Sequence, residues 1–235
     1  MGAMKKNLLM FLFCLFTSPT WAQSNDYYYF ADTAIGIFAD IRDADLPQYE
    51  QGKEDGTKWA LKNSVHKKQV YTDVLSRLKK FETSPYERIR HGANMLTGGI
   101  LMLQISNDKF GEFAEKLLNN PKLALEQGTV TRRVAELSEN SKRAWEAYSQ
   151  VGGVITFSLT NTPTSLKELK SKSATELNEK VTNLLITKSE IDLLKLHLKK
   201  SFGTVLSDDS NASFVDLPAI SWWTFLNNNW TPEKD

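Results

Sequence analysis

Across residues 129–161 small and apolar side chains recur at Val130, Val134, Leu137, Ser141, Ala144, Tyr148, Val151, Ile155 and Leu159. Steps alternating between three and four residues put them on one stripe of an α-helix, with Arg132, Arg133, Glu136, Glu139, Lys142, Arg143 and Glu146 on the other faces. A stripe this long is stable only against partners, because isolated helices owe most of their stability to tertiary packing. It therefore predicts a helical bundle in which this segment is the element the others pack around.

The same period recurs on both sides. Asp26 is placed to cap a helix starting at Tyr27-Tyr28-Tyr29-Phe30 and running through Ala34, Ile35, Phe38 and Ile41, ending before Pro47. Thr57 is the expected N-cap of a helix over residues 58–82. Ser84, Pro85 and Glu87 spell a capping box for the next helix, with an interruption expected at Asn107-Asp108 and a short helix after it. Asn120-Pro121 restarts a turn or two ending at Gly128. A last long helix is expected from Ser165 or Ser173 to Leu206, with acid-before-base pairs at Glu168–Lys172 and Glu176–Lys180.

One internal echo stands out, Gly98-Gly99 followed by Ile100 to Asn107 against Gly152-Gly153 followed by Val154 to Asn161. Two glycines inside a helix cost about 2 kcal/mol relative to alanine. Close helix packing is the expected compensation; a ligand approaching the missing side chains, or a helix end opening into a short strand, are the alternatives.

The N-terminus has a different character. Lys5 and Lys6 precede an apolar run of about nine residues, then Thr17-Ser18-Pro19 and small residues at Thr20 and Ala22, the pattern of a secretory leader cut before Gln23. The run is short against the roughly 20 residues of a spanning helix. Lys5 and Lys6 are its only charges, so removing residues 1–22 turns 29 basic against 28 acidic groups into an excess of one acid, which favours neither nucleic acid nor anionic lipid. The single cysteine, Cys14, would leave with the leader, and bulky Phe11, Leu12 and Phe13 before it argue against lipidation. Disulfides and thiolate chemistry are then excluded from the mature chain. The Lys-Lys start and the Lys- and Asn-rich body suggest a bacterial periplasmic or secreted protein.

Reaction motifs are weak. Glu87 and His91 share a helix face and are the catalytic candidates, able to share a metal or to act as a general acid with its orienting carboxylate; a salt-bridging histidine is the plainer reading. His66 and His197 stand beside lysines and read as solvated. Asp43, Asp45 and Glu54 sit at calcium-loop positions, but Pro47 and Gln48 occupy places needing an oxygen ligand and a glycine. No nucleophile elbow or phosphate loop occurs, and no metal or cofactor is expected. The tail carries Trp222, Trp223, Phe225 and Trp230, which read either as an exposed anchor for a partner protein or sugar rings, or as a cap folded back over the core against the Tyr27 cluster.

These readings give an all-α chain: a leader over 1–22, a single up-and-down bundle of about five to seven helices over 23–210, and an aromatic tail over 211–235 packed on it. The expected role is binding another envelope or secreted protein, as an inhibitor or immunity factor does, with Trp222, Trp223, Phe225 and Trp230 at the interface. An envelope hydrolase acting on cell-wall or lipid substrates, or a lipid-binding helical protein, are the alternatives.

Overall fold

The computed structural model describes residues 25–51, 55–160, 187–207 and 216–228. Seven α-helices run through them: α1 Asn25–Arg42, α2 Gly56–Leu78, α3 Glu87–Asn119, α4 Pro121–Leu125, α5 Gln127–Thr160, α6 Lys188–Ser207 and α7 Leu217–Asn228. No β-strand occurs among the described residues, so the chain is all-α there. Both Gly-Gly pairs lie inside helices, which overturns the strand alternative. The secretory leader and both acid-before-base pairs of residues 168–180 fall outside the described residues.

The central element is α3, a correction to the expectation that placed α5 there. It touches α2, α4, α5 and α6. Every residue from 91 to 100 is buried, which means that the helix is covered on all sides for nearly three turns. α5 buries Leu137, Asn140, Ala144, Ala147 and Tyr148, but Val134 at the head of its stripe stays 40% exposed. The difference lies in the charges. α3 has no Asp, Glu, Lys or Arg over residues 91–107, whereas α5 must keep three faces of charge in water.

Asn107 and Asp108 do not interrupt α3. The Asn107 amide donates to the Ser64 carbonyl at 2.9 Å while the Ser64 hydroxyl donates to the Asn107 carbonyl at 3.0 Å, so a residue that reads as a breaker is consumed by a buried clasp between α2 and α3. The clasp continues into α5, where the Asn140 amide donates to the Ser106 hydroxyl and Ser106 meets Ser141 at 3.1 Å.

Helix starts differ from their sequence signals. Asp55, not Thr57, caps α2, its carboxylate accepting from the Thr57 and Lys58 amides. The capping box expected at Ser84 does not form: α3 begins at Glu87 after Tyr86, and the Ser84 hydroxyl instead accepts the Tyr86 amide across Pro85. Gly128 lies inside the first turn of α5 rather than ending α4, which stops at Leu125. Thr187 and Glu190 form a reciprocal box at the start of α6, the Thr187 amide donating to the Glu190 carboxylate at 2.7 Å and the Glu190 amide to the Thr187 hydroxyl.

Candidate functional site

A second group of enclosed polar side chains converges where α3, α6 and the start of α7 meet. On α3, His91, Asn94 and Gly98 follow one another at helix spacing and share a face. Opposite them stand His197, Ser201 and Phe202 of α6, then Asp216 and Trp222 from the last described segment.

His91 Nδ1 lies 2.5 Å from Asp216 Oδ1, with the two side chains 7% and 2% exposed. The contact is not an in-line hydrogen bond, and it is an ion pair only when the imidazole carries both protons. The Phe202 ring stands 5.3 Å from the imidazole, centroid to centroid, so little water screens the pair. Asp216 directly precedes α7, where the helix dipole favours a carboxylate.

One turn along α3, Asn94 ties this helix to α6. Its amide donates to the Arg90 carbonyl, its side-chain oxygen accepts the Ser201 hydroxyl at 3.1 Å, and its own carbonyl meets His197 Nε2 at 3.0 Å. A carbonyl only accepts, so Nε2 carries the proton. Burial pushes the His197 pKa down, with Lys200 acting the same way and the Asn94 carbonyl and Glu82 acting against them. His197 is therefore neutral at pH 7, with Nδ1 as its acceptor nitrogen. That corrects the solvated reading of His197; His66 is exposed as expected.

Gly98 completes the junction. A Cβ there would sit 3.0 Å from Trp222 Cζ3 and 3.7 Å from the His197 ring, while one on Gly99 would sit 3.1 Å from the Tyr148 ring of α5. The glycine pair thus lets two large aromatics approach opposite sides of α3, which is the packing reading of the motif. The second pair, Gly152-Gly153, has its surroundings outside the description.

The sequence candidates separate accordingly. Glu87 is exposed and His91 is buried against Asp216, the plainer reading of a histidine set against a carboxylate rather than the catalytic one. Trp222 is buried in the main core with Ala219 and Leu226, and Trp223 is partly buried against it. The Phe225 side chain and Trp230 lie outside the described residues. Tyr27 pairs with Tyr86, and Tyr29 and Phe30 with Phe81, so the tyrosine cluster packs on the link between α2 and α3. Asp43 pairs with Arg42, and Asp45 with Asn63 and Lys67; burial raises the Asp45 carboxyl, but those two partners outweigh it and hold it below its usual value. Glu54 is outside the described residues, and among the described residues no three His, Cys, Asp or Glu side chains gather to hold a metal. No described helix is long and apolar enough to cross a membrane.

The junction's chemistry is that of a clasp. The Ser201 proton is given to an amide oxygen and the Ser64 proton to a backbone carbonyl, so neither hydroxyl faces a base that would make it a nucleophile. No protein-family model, no curated protein and no solved structure matches this chain. The functional reading rests on the geometry alone. Asp216 was missed at the sequence level because its partner lies 125 positions away and no local pattern joins them.

Proposed function

We propose that this is an exported helical protein that acts by binding, recognising another protein of the bacterial envelope or secreted fraction as an inhibitor or immunity factor does. The observation that carries it is an aromatic surface. Tyr28 and Tyr29 are 51% and 53% exposed, and Tyr86, against Tyr27, is also exposed. Lys80 donates to the Tyr29 hydroxyl and lies over its ring, 4.2 Å from the centroid. Tyrosines held in place on a rigid element give large contact area at low entropic cost, the character of a protein-recognition surface.

The export half of the reading rests on the leader pattern of residues 1–22. The same reading takes the helices as one up-and-down bundle. It is supported by the Ser64–Asn107 and Glu82–Thr97 hydrogen bonds, in which the later residue of α2 or its following link meets the earlier residue of α3, as in antiparallel neighbours. In the tail, Trp223, Phe225 and Trp230 remain the proposed contributors to the interface, while Trp222 is buried in the core.

The test is affinity capture with residues 23–235 from the envelope fraction and culture supernatant, followed by measured binding of the purified partner. Tyr28→Ser/Tyr29→Ser/Tyr86→Ser and Trp223→Ala serve as separate variants. Loss of binding in the first places the interface on the tyrosines, and loss in the second places it on the tail. A partner that binds both variants as tightly as the parent, or none at all, removes the proposal.

A further inference from the structure

We infer that the partner protein presents an acidic segment to this chain, and that the segment lies along the outward face of α2, where a row of cations runs into the exposed tyrosines. The inference rests on the binding reading above and names the chemistry of its partner. The near-zero balance of the chain hides a segregation of charge. Residues 56–80 carry seven Lys and Arg side chains against Asp73 alone, which leaves 20 basic against 27 acidic groups for the rest of residues 23–235.

The fold divides those seven into two sets. Lys67 is taken by Asp45 at 2.9 Å, Lys68 by Asp108 at 3.2 Å, and Arg77 by Asp40 and Asp73, so the one acid of the tract is already engaged. Lys58, Lys62, Lys79 and Lys80 stand exposed on the solvent side together with His66. Asp55, at the start of the row, is held by the Thr57 and Lys58 amides as the cap of α2. Val65, 60% exposed, adds apolar area in the middle of the row. At the far end Lys80 reaches the Tyr29 hydroxyl and lies over the Tyr29 and Phe81 rings, which joins the cations to the tyrosine surface. Spacing selects the ligand. Lys58, Lys62 and His66 succeed one another every four residues, about 6 Å along the helix axis. Alternate side chains of an extended peptide share one face at intervals of about 6.5 Å. An extended segment with acids at alternate positions therefore meets the row in register, and the opposite charges steer its approach.

The test is fluorescence anisotropy of labelled poly-L-glutamate against the full chain at neutral pH, with poly-L-lysine and phosphatidylglycerol vesicles as comparison probes. Poly-glutamate is expected to bind saturably and poly-lysine not to bind, with the affinity falling at least about fivefold between about 50 and about 200 mM salt. Lys58→Gln/Lys62→Gln/His66→Gln is expected to weaken binding about tenfold or more, while Lys142→Gln/Lys188→Gln/Lys199→Gln, which removes at least as much charge from α5 and α6, stays within about twofold of the parent. The inference is overturned if poly-glutamate does not bind, if the two triple variants lose binding equally, or if the vesicles are bound in preference, which would make the ligand a lipid surface. A captured partner that is lost with the tyrosine variant but held as before by the α2 variant removes this inference and leaves the proposed function standing. Loss of the partner in both variants supports the two together.

Discussion

Tyr148 shows how one side chain can be well packed and yet suboptimal. It is 0% exposed, wedged against Gly99, Phe38 and Trp145, and its hydroxyl has no hydrogen-bond partner among the described residues. A buried donor left unpaired costs its desolvation, so Tyr148→Phe is expected to be neutral to stabilising, by up to about 1 kcal/mol in urea denaturation at pH 7; a loss above about 1 kcal/mol would mean the hydroxyl has a role. Glycines give the opposite kind of contrast. Gly36, inside α1, has no atom of the described residues within 4 Å of where a Cβ would stand, so Gly36→Ala should add about 0.5–1 kcal/mol through helix propensity alone. At Gly111 the same change would bring a Cβ to 2.5 Å from the Ser64 hydroxyl. Because that hydroxyl is buried and bonded to Asn107, it cannot retreat without losing its acceptor, and Gly111→Ala should cost about 1–2 kcal/mol despite the same propensity gain. Equal shifts of the two urea midpoints would contradict the packing account.

At the level of the helix, existence was legible and boundaries were not. The three-four spacing identified α1, α2, α5 and the described part of α6 because an amphipathic face is written locally, residue by residue. What competed with it was capping, where several polar residues stand near each start and the tertiary contacts choose among them. Asp55 wins over Thr57 because its carboxylate reaches two amides at once, at 2.9 and 3.0 Å. Asp55→Ala should therefore cost about 1 kcal/mol of stability and Thr57→Ala less than about 0.5 kcal/mol, measured side by side by chemical denaturation; the reverse order would restore the threonine as the cap. The interruption expected at Asn107 failed for a different reason. Its amide is satisfied by Ser64, 43 positions earlier, and no window of sequence around Asn107 contains that partner. One signal was present and went unread: the absence of charge over residues 91–107 marks the helix that is covered on all sides, and it outweighs the longer stripe of α5 as a sign of centrality.

Across the molecule, among the described residues, three enclosed side chains with shifted pKa values shape how stability follows pH. His197 has a lowered pKa from burial, so its contribution is complete above its ordinary value of 6.5 and is lost as pH falls through the folded value, because the unfolded chain binds that proton more readily. Tyr71 and Tyr148 behave in the opposite sense. Burial raises both phenols above their ordinary 10.0, with Asp45 and Asp108 adding to the effect at Tyr71 and Tyr71 adding to it at Tyr148. Their contribution is complete below pH 10.0 and is lost above it, when the unfolded chain can release protons that the folded core retains. Together these groups predict a plateau between 6.5 and 10.0 with a falling limb on each side. Urea midpoints taken from about pH 5 to about pH 11 would trace it. His197→Gln should flatten the acid limb down to the carboxylate range, and Tyr148→Phe should shallow the alkaline limb without abolishing it, since Tyr71 remains. A profile in which Tyr148→Phe steepens the alkaline limb, or His197→Gln leaves the acid limb unchanged, would show that the two residues are not enclosed as the fold places them. The two limbs also separate what the sequence wrote from what only the fold supplies. Both tyrosines lie at core positions, Tyr148 on the stripe read from the spacing itself, whereas His197 is enclosed against Asn94 of α3, an element distant in the chain that covers a face the lysines around it had marked as open.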